Sequence, residues 1–275
     1  MRDALDRQLT ALARAEGSTR PVALVRIGLA LLLWSRFADE LQPFTALGPA
    51  WLALGAAFYG ATTWMLLGYR ARLATAATAV VVWIMVFAVG RSGAMFSWTH
   101  HHTTLLAYAV ALLALTPCGG SLSLDRWLAV RAAERAGTAP PPERGPLWAV
   151  PLLGVLLSTV YFWGAIDKCT VGFLSGARLE LIWMDVYAGS DFVPTGPVHL
   201  AFAAASIAVT ALEFVLAFGL WVGRWQRWLV PVGLATHAAF YLLLPQVYTF
   251  SCTMALLYLA FLDPGAVSRT LDRLL

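Results

Sequence analysis

The sequence predicts an all-α integral membrane protein, a polytopic bundle of about eight transmembrane helices joined by interfacial connections. Three observations predict it: the composition, the spacing of the apolar runs and the placement of the arginines. Of the 275 residues, 60% are hydrophobic and 12% charged, where a soluble domain carries roughly 25% charged residues. One globular core of this size cannot bury so much apolar surface, whereas a bilayer takes up spans of roughly 20 residues each. The 12 tryptophans point the same way, because Trp gathers at bilayer interfaces.

Residues 1–20 come first, with Arg2, Arg7, Arg14 and Arg20 set among Asp3, Asp6 and Glu16. No apolar run starts before Pro21, so the segment reads as a cytoplasmic amphipathic lead-in and not as a cleavable signal peptide. A frayed terminus accounts for it equally well. Apolar runs follow at residues 22–37, 47–69, 73–90, 103–117, 147–166, 198–222, 228–244 and 247–262. Several are shorter than a full crossing and need their polar flanks, the first and the last two most of all. They make residues 21–264 one transmembrane domain and leave 265–275 as a cytoplasmic tail. Residues 118–146 hold an interfacial helix over 124–135 and then a flexible linker through Pro140, Pro141 and Pro142. Residues 169–197 are partly apolar (Phe173, Leu179, Trp183) and lie on the membrane surface or re-enter as a lid.

Orientation follows from the arginines. With the N-terminus in the cytoplasm, the cytoplasmic segments hold 14 arginines, and the opposite side holds only Arg91, Arg178 and Lys168. Arg26 and Arg36 fall within the first span. This is the asymmetry of the positive-inside rule, and a wrong span count would scramble it. Both termini are therefore expected in the cytoplasm. High Ala and Arg with almost no Lys suits a GC-rich bacterial source, hence a bacterial inner membrane. The pI near 9.2 reflects this topology and does not point to nucleic acid. Three cysteines make no disulfide framework. Cys169 and Cys252 both fall on the outer side, where an oxidising compartment would permit a pair.

Lys168 is the single lysine beside 18 arginines. Positions that need only positive charge have been filled with Arg, and a desolvated lysine can lose its proton where Arg cannot. Lys168 ends the fifth span directly after Asp167. A lysine snorkelling to the interface is the plainer alternative. His100, His101 and His102 precede the fourth span on the same side. Adjacent helical residues point about 100° apart, so three in a row do not share one metal site, and no ligand spacing predicts a metal. One inward histidine acting in acid–base or hydrogen-bond chemistry is expected, or else plain polar residues at a helix start. Glu213 and His237 lie inside spans and need partners there, each other or an arginine of the first span. Arg36, with Asp39 and Glu40, closes the first span and lines the same cavity or a solvated helix end. With Arg91, these groups gather at the outer half of the bundle, around a site that a lipophilic molecule enters from the side.

The stretch Ser97-Trp98-Thr99-His100-His101-His102 leading through an apolar helix to Ser123-Leu124-Asp125 resembles one motif of the vitamin K-dependent gamma-carboxylase membrane domain. The stretch Tyr161-Phe162-Trp163-Gly164-Ala165-Ile166-Asp167-Lys168, followed by Phe173-Leu174-Ser175-Gly176, resembles another. Together they are similar to the wider HTTM (horizontally transferred transmembrane) family, which includes bacterial proteins that help mature secreted peptides. The resemblance implies that Lys168 acts as base on vitamin K hydroquinone or a related quinol, with His101 or His102 as partner and molecular oxygen as co-substrate. Asp167 stands where the carboxylases carry a second lysine. Those enzymes continue into a large extracytoplasmic part that does not follow residue 275 here, so the quinol-and-oxygen half of the chemistry is the expectation carried over.

The sequence thus predicts a membrane enzyme with Lys168 as general base on a lipophilic, quinol-like substrate, with room for coupling to modification of a second substrate such as a secreted peptide. A non-enzymatic helper in maturation, export or immunity of a secreted peptide is the first alternative. A small-solute or proton transporter using Glu213 and His237 is the second.

Overall fold

The computed structural model describes residues 15–41, 48–188, 195–244 and 247–274. Most of the lead-in, residues 1–14, lies outside them, as do the first residue of the second apolar run and part of the 169–197 connection. The described residues form helices and one short antiparallel ribbon, β1 (Glu16–Ser18) paired with β2 (Arg144–Pro146). The end of the lead-in is therefore a strand, held to the segment before the fifth apolar run.

The chain divides into two compact units, Met1–Gly154 with Gln246–Leu275, and Val155–Pro245. In the first unit, α1 (Arg20–Phe37) starts with proline in its first turn and carries Val22, Val25, Leu29, Leu33 and Phe37 on one buried stripe. That i, i+3, i+4, i+7 spacing is the signature of a helix with one core-facing side. α1 packs against α2 (Pro49–Leu67), α4 (His101–Leu113) and α11 (Tyr248–Leu257). α3 (Ala71–Trp83), prolonged by a wider turn over Ile84–Gly90, packs against α2 and α4. α5 (Leu124–Ala136) is a helix where the sequence predicts an interfacial one. The Ser123 hydroxyl caps it by accepting from the Arg126 amide, and Gly137 ends it in the left-handed conformation. Beyond α11, a tight turn over Tyr258–Phe261 leads to α12 (Pro264–Leu274), bent by 112° from the preceding helix. The bend has a local cause. Proline at 264 disfavours helical backbone at Asp263, and the Asp263 carboxylate accepts from the amides of Gly265 and Ala266 at 3.2 and 2.9 Å, restarting the helix in a new direction.

α6 (Val150–Lys168) begins in the first unit and continues into the second. The second unit adds α7 (Val171–Leu174), α8 (Ala177–Trp183) with a wide turn over Met184–Ala188, α9 (Gly196–Gly219) and α10 (Gly223–Leu243). The described part of the 169–197 connection is thus two short helices. Gly176 between them has φ +88, and a Cβ there would sit 2.5 Å from the Ala203 amide nitrogen. Only glycine combines that backbone with so close an approach to α9.

Each of the eight apolar runs coincides with a helix. Among the described residues, four helices are long and apolar enough to cross a membrane: Pro49–Leu67, Ala71–Gly90, Val150–Lys168 and Gly196–Gly219. The bent pair Tyr248–Phe261 and Pro264–Leu274 makes a fifth if taken as one span, and His101–Leu113 is apolar but shorter. Much of the surface of these helices is not covered by protein. Only 22–44% of the most apolar window in each of the four is buried, and Trp163, Leu200, Phe218 and Leu242 are among many large side chains that stand exposed. Apolar exposure of this extent on a folded chain calls for an apolar solvent.

Candidate functional site

Lys168 and Glu213 face one another in the second unit. α6 presents Leu157, Tyr161, Gly164, Ala165 and Lys168 along one face at helical spacing, and the side chains of Leu157, Tyr161 and Ala165 are buried there. From α9, Glu213 meets Lys168 with both carboxylate oxygens, at 3.0 and 2.9 Å from Nζ. The third Nζ donor reaches the Gly164 carbonyl at 3.2 Å, one turn back. All three ammonium donors are therefore used, and the cation also neutralises the carbonyl end of α6. The pair is largely shielded, with side chains 25% and 12% exposed for Lys168 and Glu213. The Phe173 ring lies 5.8 Å from Nζ. Phe162 of α6 packs edge-on against Phe214 and Phe218 of α9. Gly164 leaves the pair room, because a Cβ there would stand 3.3 Å from Glu213 Oε2 and 3.5 Å from Lys168 Nζ.

Two turns earlier on the same face, the Tyr161 hydroxyl shares a 2.7 Å hydrogen bond with His237 Nε2 of α10. The expected partnership of Glu213 and His237, with each other or with an arginine of the first span, is thus corrected: Glu213 pairs with Lys168 and His237 with Tyr161. The reason is register. Residues 161, 164, 165 and 168 share one helix face, so the tyrosine and the lysine both reach partners on neighbouring helices. Asp167, one position off that face, is exposed.

The other candidates lie in the first unit. Arg36 is largely buried and donates to Glu40 Oε2 at 3.1 Å and to the Ser97 carbonyl at 2.8 Å. Glu40 also accepts from the Ser97 hydroxyl at 3.2 Å and from the Trp98 indole N–H. The Trp98 ring stacks on Trp51 and meets Phe37 edge-on. Arg36 and Glu40 thus clamp the segment before α4, a role the sequence showed only as charges at a helix end. His100 and His102 stack with ring centroids 5.3 Å apart. This departs from the wheel argument because His100 is not helical: it is the extended N-cap of α4. His101 is exposed and His102 half-buried. Arg91 is exposed, 5.3 Å from the Phe87 ring. Among the described residues, no group of three or more His, Cys, Asp or Glu is placed to hold a metal. Cys118, Cys169 and Cys252 are free thiols.

The Ser123-Leu124-Asp125 segment has a structural reading. The buried Arg26 guanidinium donates to the carbonyls of Cys118 and Leu122. Asp125 accepts from the amides of Arg70 and Ala71 at 2.7 and 2.8 Å, capping α3. Neither contact was legible from spacing, since the partners are 54 to 96 residues apart.

Comparison with protein-family models, with curated proteins and with solved structures returns no match.

Proposed function

We propose that the protein is an eight-span bacterial inner-membrane protein with cytoplasmic termini, and that it is an enzyme acting by proton transfer on a lipophilic, quinol-like molecule at Lys168 and Glu213. The bidentate contact of these two side chains, set among apolar helix faces, carries the reading. Ionisable groups in such surroundings are costly and are kept where they function.

The contacts of Lys168 favour a different division of roles from the simplest expectation. With three donors engaged, Nζ has no lone pair to offer. Each Glu213 oxygen keeps an acceptor site after the contact. Glu213 is then the group that accepts a substrate proton, and Lys168 supplies the countercharge and holds the carboxylate in place. Lys168 takes over as base only once its own proton has passed to Glu213. A quinol fits this pair, since its O–H groups can donate to a carboxylate and its ring can lie against Phe173. When bound, a hydroquinone would supply two ionisable O–H groups and the electrons that reduce oxygen.

Quinol-dependent oxygen uptake by the protein in lipid nanodiscs tests the proposal. Lys168→Ala and Glu213→Gln should each lower turnover at least a hundredfold, the range of positioned proton transfer. Wild-type-like turnover in both variants would sink it.

A helper in maturation or export of a secreted peptide is favoured by one other observation. The short α7 and α8 helices and the wide turn after them expose Val171, Leu181, Trp183 and Tyr187, apolar surface suited to an extended partner. Photo-crosslinks from Leu181 to a co-produced peptide, with the Lys168→Ala variant still active in export, would select this reading.

A further inference from the structure

The first unit carries a basic cavity at one end of α3 and an apolar groove further along the same face. The cavity, about 590 Å³, is lined by Arg70, Arg72 and Arg126 together with Leu73, Pro117 and Asp125. Asp125 brings one negative charge against three arginines, and both of its oxygens accept from the amides of Arg70 and Ala71. Arg126 is partly engaged, 3.4 Å from Glu143 and bonded to the Pro141 carbonyl. Among the described residues, neither the Arg70 nor the Arg72 side chain has a carboxylate within salt-bridge reach. The second groove, about 600 Å³, is lined by Val80, Trp83, Ile84 and Phe87 of the helix and by Ala111 of α4. Arg72, Leu73, Val80, Trp83 and Phe87 fall on one helical face, and Leu73 and Val80 are 67% and 60% exposed.

We infer that this face binds an anionic phospholipid, with its phosphate at Arg70, Arg72 and Arg126 and an acyl chain in the groove beside Trp83. The spacing suits that occupant. From Arg72 to Trp83 the helix rises roughly 16 Å at about 1.5 Å per residue, close to half of a hydrocarbon core of about 30 Å. Basic pockets at the ends of spans recognise anionic headgroups in this way. A free phosphate would use the arginines but not the groove. The inference rests on the membrane placement of the helices and not on the chemistry of Lys168 and Glu213, so quinol turnover and lipid selectivity fail independently.

The test is quenching of Trp83 by lipids brominated on the acyl chain, with the protein in vesicles. The signal is the difference between wild type and Trp83→Phe. Brominated phosphatidylglycerol should reach half-maximal quenching at a mole fraction about tenfold lower than brominated phosphatidylcholine. Each arginine at such a surface contributes roughly fivefold, so Arg70→Gln with Arg72→Gln should abolish the preference. The corresponding pair of lysine substitutions should keep most of it. Equal quenching of wild type by the two lipids would overturn the inference, and this comparison stands even if the double glutamine variant fails to fold. Preference retained in a folded double glutamine variant would overturn it too. So would loss of the preference in millimolar inorganic phosphate but not in chloride of equal ionic strength, which would mark the cavity as a phosphate site.

Discussion

Lys168 and Glu213 form a unit, and their substitutions should behave as one. Removing one partner of a shielded ion pair leaves the other charge uncompensated, at a cost of up to about 3–5 kcal/mol. Replacing both with apolar residues of similar size avoids that cost. Lys168→Met and Glu213→Leu should therefore each lower the thermal midpoint in detergent, and the double variant should recover part of the loss, a coupling of roughly 1–3 kcal/mol. Additive losses would show that the pair contributes no mutual stabilisation. Gly164 offers a finer probe. Alanine in a helix is favoured over glycine by about 1 kcal/mol, yet its Cβ would stand 3.3 Å from Glu213 Oε2. Gly164→Ala should leave the thermal midpoint almost unchanged while lowering quinol turnover, because the carboxylate must shift by a few tenths of an ångström. Unchanged turnover would show that the carboxylate position is not critical.

At the scale of elements, the helices were legible and their partnerships were not. Each apolar run holds a helix among the described residues, because an apolar run has few ways to satisfy its backbone other than as a helix. The helix over 124–136 was legible for a local reason too, with Ser123 as cap and Gly137 as stop. Lys168 stood out as the only lysine. Its partner did not, because Glu213 is 45 residues away and nothing in spacing says which face of α9 meets α6. Tyr161 was the nearest miss. It lies seven positions before Lys168, hence on the same face, and that register was available from the sequence. The contacts of Arg26 and Asp125 were hidden for the same reason as Glu213. They tie the segment after α4 to α1 and to the start of α3, so Asp125→Asn should loosen that segment and cost about 1 kcal/mol, as loss of a capping carboxylate does. Faster proteolysis between residues 118 and 146 at unchanged helix content would report it.

For the whole molecule, the proposed orientation makes a prediction that the thiols can read. In that proposed orientation the end of α6, and hence Cys169, lies on the outer side. The same orientation puts Cys118, just past the fourth apolar run, on the cytoplasmic side. Their accessibilities differ for reasons of packing. Cys169 is exposed and Cys118 is buried, with the Cys118 side chain 3.7 Å from the Thr75 hydroxyl. Burial pushes the Cys118 thiol up from its ordinary value. A raised value means less thiolate near neutral pH, and the thiolate is the form that reacts. A membrane-impermeant maleimide added to intact spheroplasts should therefore label Cys169 at once in a chain that keeps only that cysteine. A chain that keeps only Cys118 should stay unlabelled in intact cells, label only slowly in permeabilised cells, and react fully once the protein is unfolded. Raising the pH of permeabilised cells by one unit should speed the residual Cys118 reaction up to about tenfold, since the thiolate fraction rises with pH until the shifted value is reached. If Cys169 reacts only after permeabilisation, the orientation is reversed, and the Lys168 end of α6 faces the cytoplasm.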